Sequence, residues 1–128
     1  MMSDAIGERT GRDAGQIAWQ RRAAAALATI LERAAAEGLP PIAWTVATAG
    51  IEVRGECLAH PADARRDDFT SWRTAVGTWA RRIADRESER TADDGTTRLV
   101  DQWDGVTMPG IQGPGVIITL TAELYTED

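Results

Sequence analysis

Three side chains with metal-binding or nucleophilic chemistry, Cys57, His60 and Asp63, lie three residues apart. A structural zinc site usually takes four Cys or His ligands, whereas the whole chain has one cysteine and one histidine. Strand-like alternation before Cys57 points its side chain into a core, where a thiol behaves as a small apolar group. The spacing therefore favours a buried cysteine and a histidine that precedes or caps a helix, and it predicts no metal site.

Acidic residues form three close sets, which could supply the paired carboxylates of acid and base catalysis. The sets are Asp67 with Asp68, Asp93 with Asp94, and Asp101 with Asp104. Such catalysis needs one acid whose pKa is raised in an apolar setting. Because these residues fall in predicted turns or at polar helix positions, we expect them to be solvated. The sequence thus predicts no catalytic residue.

Glycine is concentrated in residues 110–115, GIQGPG, as it is in phosphate-binding loops. Such a loop opens onto a helix whose N-terminal amides bind the anion, whereas this segment opens onto an apolar strand. We therefore expect a connection between strands and no nucleotide or other cofactor. The same loop carries apolar residues that could dock a partner or fold back over the sheet edge. They are Val106, Met108, Pro109 and Ile111.

Three arginine pairs occur beside aromatic residues, a combination that can bind single-stranded nucleic acid by charge and stacking. The pairs are Arg21-Arg22 beside Trp19, Arg65-Arg66 beside Phe69, and Arg81-Arg82 beside Trp79. Acidic neighbours dilute each pair, and the net charge of −6 opposes binding to a polyanion. Ion pairs on helix surfaces are therefore the favoured interpretation, with nucleic-acid binding as the alternative.

Composition is typical of one globular domain, with 43% hydrophobic and 27% charged residues in a chain of 128. All fourteen basic residues are arginine, which indicates a GC-rich genome. A single cysteine rules out an intramolecular disulfide and is typical of a reducing compartment. The N-terminal residues show no apolar leader and no segment is apolar enough to span a membrane, so we expect a cytoplasmic protein.

The first helix is predicted to begin at Asp13, which forms a capping-box-like start with Gln16, and to end at Gly38 before two prolines. Residues 1–12 are expected to be a flexible lead-in, and residues 13–126 a single domain. The helix carries an apolar stripe on one side. The stripe consists of Ile17, Ala24, Leu27, Ile30, Leu31 and Ala34.

Alternating residues from 42 to 58 predict a β-hairpin with a two-residue turn at Ala49-Gly50. This turn implies the pairs Thr48 with Ile51, Val46 with Val53, Trp44 with Gly55, and Ile42 with Cys57. Trp44 then covers Gly55, which lacks a side chain of its own. The opposite face is predicted to carry Thr45, Ala47, Glu52, Arg54 and Glu56.

A second helix is predicted from near Pro61 to about residue 84, with an earlier end at Gly77 as the alternative, and strands follow it. A polar stretch at 86–92 is an optional edge strand that turns at Asp94-Gly95 into a strand at 96–103. The clean alternation from Val116 to Leu124 predicts a central strand. The expected fold is α+β: an antiparallel sheet of four to five strands with two helices on one face, in the order α-β-β-α-(β)-β-β.

Three segments of this chain resemble a group of small, uncharacterised actinobacterial proteins, Streptomyces-like or from actinophages. The segments are GLPPIAWTVAT at 38–48, the helix with Phe69 and Trp72, and DGTTRL at 94–99. The likeness covers about residues 25 to 124. It implies an actinomycete or phage setting and a third strand before Asp94, and it implies no activity.

Tryptophan is abundant, with five copies, and it is enriched at the energetic centres of protein interfaces. Trp44 and Trp72 fit core positions by periodicity. The candidate interaction surface is formed by Trp19, Trp79, Trp103, Met108 and Ile111. We therefore expect a noncatalytic protein-interaction or accessory module that binds a protein partner or itself as a homodimer. The alternatives are a nucleic-acid-associated regulator and an enzyme with an unfamiliar site.

Overall fold

A computed structural model describes residues 2–48, 50–80, 86–91, 95–111, 113 and 115–125, without the side chains of 2–13, 86–88 and 90. Among these residues there are two helices and five strands, which confirms the α+β class. In chain order they are α1 (Met2–Glu37), β1 (Ala43–Val46), β2 (Glu52–Cys57), α2 (Ala62–Ala80), β3 (Arg86–Thr91), β4 (Thr97–Val106) and β5 (Val116–Leu124).

The first hairpin has the register that alternation predicts. Val46 pairs with Val53 and Trp44 pairs with Gly55. The N–H of Ala47 donates to the carbonyl of Glu52 at 3.0 Å and closes the ladder beside the turn. The predicted pairs of Thr48 with Ile51 and of Ile42 with Cys57 are not part of this ladder, because Thr48 and Ile42 lie just outside β1. Ala49 lies outside the described residues.

The sheet is mixed, with the strand order β1-β2-β5-β4-β3. Strand β5 runs antiparallel to β4 but parallel to β2, so the prediction of an antiparallel sheet is wrong. Parallel neighbours need a long crossover connection, and the chain between β2 and β5 contains α2 and the β3–β4 hairpin. The central position predicted for β5 and the edge position of β3 are confirmed.

Both helices contribute to one hydrophobic core, but they cover different parts of the sheet and share only β2 among the described contacts. Helix α2 packs over β5, β4 and β2, whereas α1 packs chiefly over β2 and the edge strand β1. This layout differs from the predicted pair of helices on an antiparallel sheet. The fully buried large side chains of the core include Trp72, Trp103, Phe69, Ile30, Ile118 and Leu120.

The helix ends show where local signals succeed and fail. Helix α1 ends as predicted, because Gly38 adopts φ +69° and Leu39 donates to the carbonyl of Ala34 at 3.0 Å. It is described from Met2 onward, so the predicted start at Asp13 is wrong, whereas the flexibility of residues 1–12 stays a prediction. Helix α2 begins directly after Pro61 and is described to Ala80, and the predicted extension to residue 84 lies outside the described residues.

Candidate functional site

The residues with nucleophilic chemistry lie at one end of the sheet, where β2 and β5 meet the start of α2. A cavity of about 210 Å³ is lined there by Glu56, Cys57, Leu58, His60, Arg65, Glu123 and Tyr125. Arg65 is 2% exposed, donates to the carbonyl of Glu123 at 2.8 Å, and lies 4.6 Å from the centre of the Tyr125 ring. The guanidinium thus fastens α2 to the end of β5.

Cys57 is buried as predicted, and its surroundings suppress its chemistry. The pKa of the Cys57 thiol is raised to about 12, chiefly by burial and also by the nearby carboxylates of Asp68 and Glu56, whereas the guanidinium of Arg65 has a smaller, opposite effect. Because the thiolate is the nucleophile, a thiol with this pKa is inert near neutral pH. Asp63 is exposed, and no three Cys, His, Asp or Glu side chains gather into a metal-binding group within the described parts of the chain.

We expect Cys57 of the folded protein to react with a thiol reagent at pH 8 at least a hundredfold more slowly than a free thiol, because it is buried and protonated. Thiol labelling with and without denaturant measures the ratio. Stability should also fall as pH rises from about 9 toward about 12, since only the unfolded thiol ionises in that window. Cys57→Ala should remove this part of the pH dependence. Labelling at the rate of a free thiol would contradict the buried assignment.

A larger cleft, of about 460 Å³, lies between the C-terminal part of α1, the end of α2 and the loop after β4. Its lining residues are Arg33, Thr78, Trp79, Ala80, Thr107, Met108 and Pro109. Arg33 and the indole N–H of Trp79 both donate to one carboxylate oxygen of Glu37, at 2.6 and 2.7 Å. The hydrogen bond from Arg33 is the main cause of the lowered pKa of Glu37. This carboxylate is therefore ionised and accepts hydrogen bonds, and it is poorly suited to act as a general acid.

The acidic sets differ in their surroundings. Asp67 is exposed, and the pKa of its neighbour Asp68 is raised by partial burial and by the charge of Asp67. Asp93 and Asp94 lie outside the described residues. Asp101 contradicts the expectation of a solvated acid: it is 1% exposed on the core side of β4, with one oxygen 3.7 Å from Nε of Arg73. The ion pair with α2 explains how a carboxylate is tolerated there.

The residues predicted to form an interaction surface do not share one surface. Trp79 and Trp103 are 6% and 2% exposed and belong to the core, and Met108 and Ile111 pack against that core. Their loop folds back along α1, where Gly110 meets Thr29 and Gly113 meets Arg22. Trp19 alone among the five candidates is exposed, at 43%. The predicted arginine surface is also divided, because Arg65 is buried and Arg81 and Arg82 lie outside the described residues.

The structure reveals a different apolar surface on α1. Its buried residues Ala23, Ala26, Ile30 and Ala34 follow one line of the helix. A second line, about 125° around the helix axis at about 100° per residue, is apolar but exposed. We call it the α1 apolar face, and it consists of Ile17, Ala24, Ala28, Leu31 and Ala35.

Exposure of the α1 apolar face is substantial. Ile17 and Leu31 are 56% and 45% exposed, although Ile30, next to Leu31 in the sequence, is fully buried. A groove of about 350 Å³ beside this face is lined by Ile17, Gln20, Arg21, Ala24 and Val46, so the face continues onto the edge strand β1. Sequence periodicity placed Ile17, Ala24 and Leu31 in the core-facing stripe. The apolar residues of α1 span a wider arc of the helix than one core-facing stripe needs, and this width could have indicated that some of them are exposed.

Comparisons with protein-family models, with curated proteins and with solved structures find no match for this chain. Neither helix, over the described residues, combines the length and apolar character of a membrane-spanning segment.

Proposed function

We propose that this protein is a noncatalytic protein-interaction module that binds a helix of a partner protein along the α1 apolar face. The observation that carries the proposal is the pair Ile17 and Leu31, large aliphatic side chains left about half exposed at a spacing of fourteen residues on one line of a helix. Residues seven apart recur on one side of a helix, which is the spacing of a helix-pairing seam.

The chemistry of the face suits a helical partner. Ala24 and Ala28 are small, so a second helix can approach closely between the larger side chains of Ile17 and Leu31, and Ala35 is a further small residue beyond Leu31. Large exposed apolar patches on otherwise polar surfaces mark interaction sites. The two cavities described above give less support to a catalytic function, because the Cys57 thiol is protonated and the Glu37 carboxylate is paired with Arg33.

The N-terminal part of α1 supports the same proposal. It contains Gly7, Gly11 and Gly15, and each glycine disfavours a helix by about 1 kcal/mol relative to alanine. Among the α1 side chains that the structure describes, the first buried one is Ala23. A helix without tertiary support is marginal in water, so an external contact would stabilise the segment before Ala23.

A photo-crosslinking amino acid at position 28 tests the proposal in cells of the source organism. We expect a covalent adduct with a protein, because residue 28 lies in the centre of the α1 apolar face. The matched control places the same amino acid at Ala18, which is also exposed on α1 but about 110° away from the face. Adding Ala24→Glu to the position-28 variant should abolish the adduct, since a buried charge opposes docking. Equal yields at positions 28 and 18, or no adduct at either, would overturn the proposed function.

A further inference from the structure

Building on the proposed function, we infer that the helix bound to the α1 apolar face is α1 of a second copy of this chain, in an antiparallel two-fold dimer. The pair is centred near Ala26, midway along the face that runs from Ile17 to Ala35. A two-fold dimer uses the same surface on both subunits, so the face must be complementary to itself when it is reversed.

Apolar complementarity holds about this centre. In the antiparallel arrangement, residues whose numbers add to 52 lie at the same height. Ala24 then meets the partner's Ala28, and Ile17 meets the partner's Ala35, so small residues lie opposite small ones at the centre and the isoleucine packs on an alanine. Leu31 lies on the flank opposite to Arg21, within about 2 Å, in height, of the partner's Gln20, whose two methylene groups can cover it.

Charge complementarity selects the antiparallel direction. Arg21 and Glu32 flank the same side of the α1 apolar face and are eleven residues apart, which is about 16 Å along the helix. In the antiparallel dimer Arg21 lies within about 2 Å, in height, of the partner's Glu32, on the same flank. The two-fold axis forms this contact twice. In a parallel dimer the same charges stay about 16 Å apart and on opposite flanks.

The two charges are available for this contact. Arg21 and Glu32 are both exposed, and neither forms an ion pair among the described residues, whereas Arg33 on the same helix pairs with Glu37. The apolar face itself spans about 27 Å, or five helical turns, which is long enough for a specific helix pair. The groove that continues onto Val46 gives the partner helix a second wall on one side.

Light scattering and sedimentation of the purified chain test the dimer directly. The expected mass is twice 13.8 kDa at micromolar concentration. Ala24→Glu should give a monomer with unchanged helix content, and the matched Ala18→Glu should remain a dimer. A monomer at every concentration up to about 1 mM would overturn the inference.

A charge exchange tests the antiparallel geometry. Arg21→Glu alone places like charges together at two symmetric contacts, and we expect the dissociation constant of the dimer to rise about tenfold, with Glu32→Arg alone doing the same. The double variant restores both pairs and should bind within about threefold of the original chain. Additive weakening in the double variant would overturn the antiparallel register. High salt should reduce the effect of each single variant, because both charges are exposed.

The identity of the protein crosslinked at position 28 distinguishes the dimer from the proposed function. A crosslinked product with twice the mass of the chain, containing only its peptides, supports the second copy. An adduct with a different protein alone overturns the dimer and leaves the proposed interaction face standing. Absence of any adduct overturns both.

Discussion

Replacing Trp72 with alanine should lower the free energy of unfolding by about 4 kcal/mol, the largest effect we expect from a single substitution in this chain. Trp72 is 1% exposed at the centre of the core. Its ring makes edge contacts with Trp44 and Trp79, with centroid distances of 5.2 and 6.1 Å. Its indole N–H also donates to the carbonyl of Pro40 at 2.8 Å and thereby ties α2 to the segment after α1.

Urea unfolding monitored by circular dichroism measures this change, and two further variants separate its causes. Trp72→Phe keeps a ring but leaves the Pro40 carbonyl without its donor, so it should cost about 1–2 kcal/mol. Trp19→Ala removes the same side chain from a position that is 43% exposed and should cost less than about 1 kcal/mol. Equal losses for the Trp72 and Trp19 alanine variants would show that this core assignment is wrong.

The second large effect is expected at Gly55, where a side chain has no room. A Cβ atom built there would lie 2.7 Å from Cδ1 of Ile42 and 3.1 Å from both Cδ2 of Leu120 and Cη2 of Trp44. Gly55→Val should therefore lower the free energy of unfolding by about 3 kcal/mol through overpacking. Thermal and urea unfolding report the loss.

Two comparisons make the Gly55 prediction specific. Ile42→Val removes the atom nearest to the new Cβ, so Gly55→Ala should cost less in the Ile42→Val background than in the original chain. Gly77, on α2, has open space at its Cβ position and should accept alanine with a gain of up to about 1 kcal/mol. A Gly55→Ala cost that is independent of residue 42 would contradict the packing described here.

Strand alternation predicted more of this fold than helix signals did. The hairpin register follows from the two-residue period, because a slip by one residue would move Val46, Trp44 and Val53 to the other face. The same alternation identified β5. It could not reveal that β5 runs parallel to β2, because alternation specifies which face of a strand is buried and carries no information about direction.

Helix α1 was predicted less well because its local signals conflict with its actual length. Asp13 and Gln16 form a plausible start, and the preceding glycines disfavour a helix, yet α1 extends to Met2. Periodicity also merged two lines of the helix into one stripe. Ile17, Ala24 and Leu31 were placed with Ile30 and Ala34, whereas the structure leaves the first three exposed.

The candidate site was the least predictable part of the molecule. Trp79 continues the helical series that begins with Phe69, Trp72 and Val76, so its burial could have been inferred from spacing. The burial of Trp103 was obscured because Asp101, on the same face of β4, is charged. The ion pair that Asp101 forms with Arg73 depends on how α2 crosses the sheet, and a local sequence pattern cannot predict that crossing.

The central position of β5 has a consequence for how the chain folds. This strand alone joins the β1–β2 hairpin to the β3–β4 hairpin, because its two neighbours are β2 and β4. Its pairing with β2 connects residues about 65 positions apart, such as Glu52 with Ile117, and contacts so distant in sequence slow folding. Each hairpin can form early from local contacts, whereas the sheet becomes continuous only when β5 enters between them. Cooperative folding of the two halves therefore depends on β5, which follows both hairpins in the sequence.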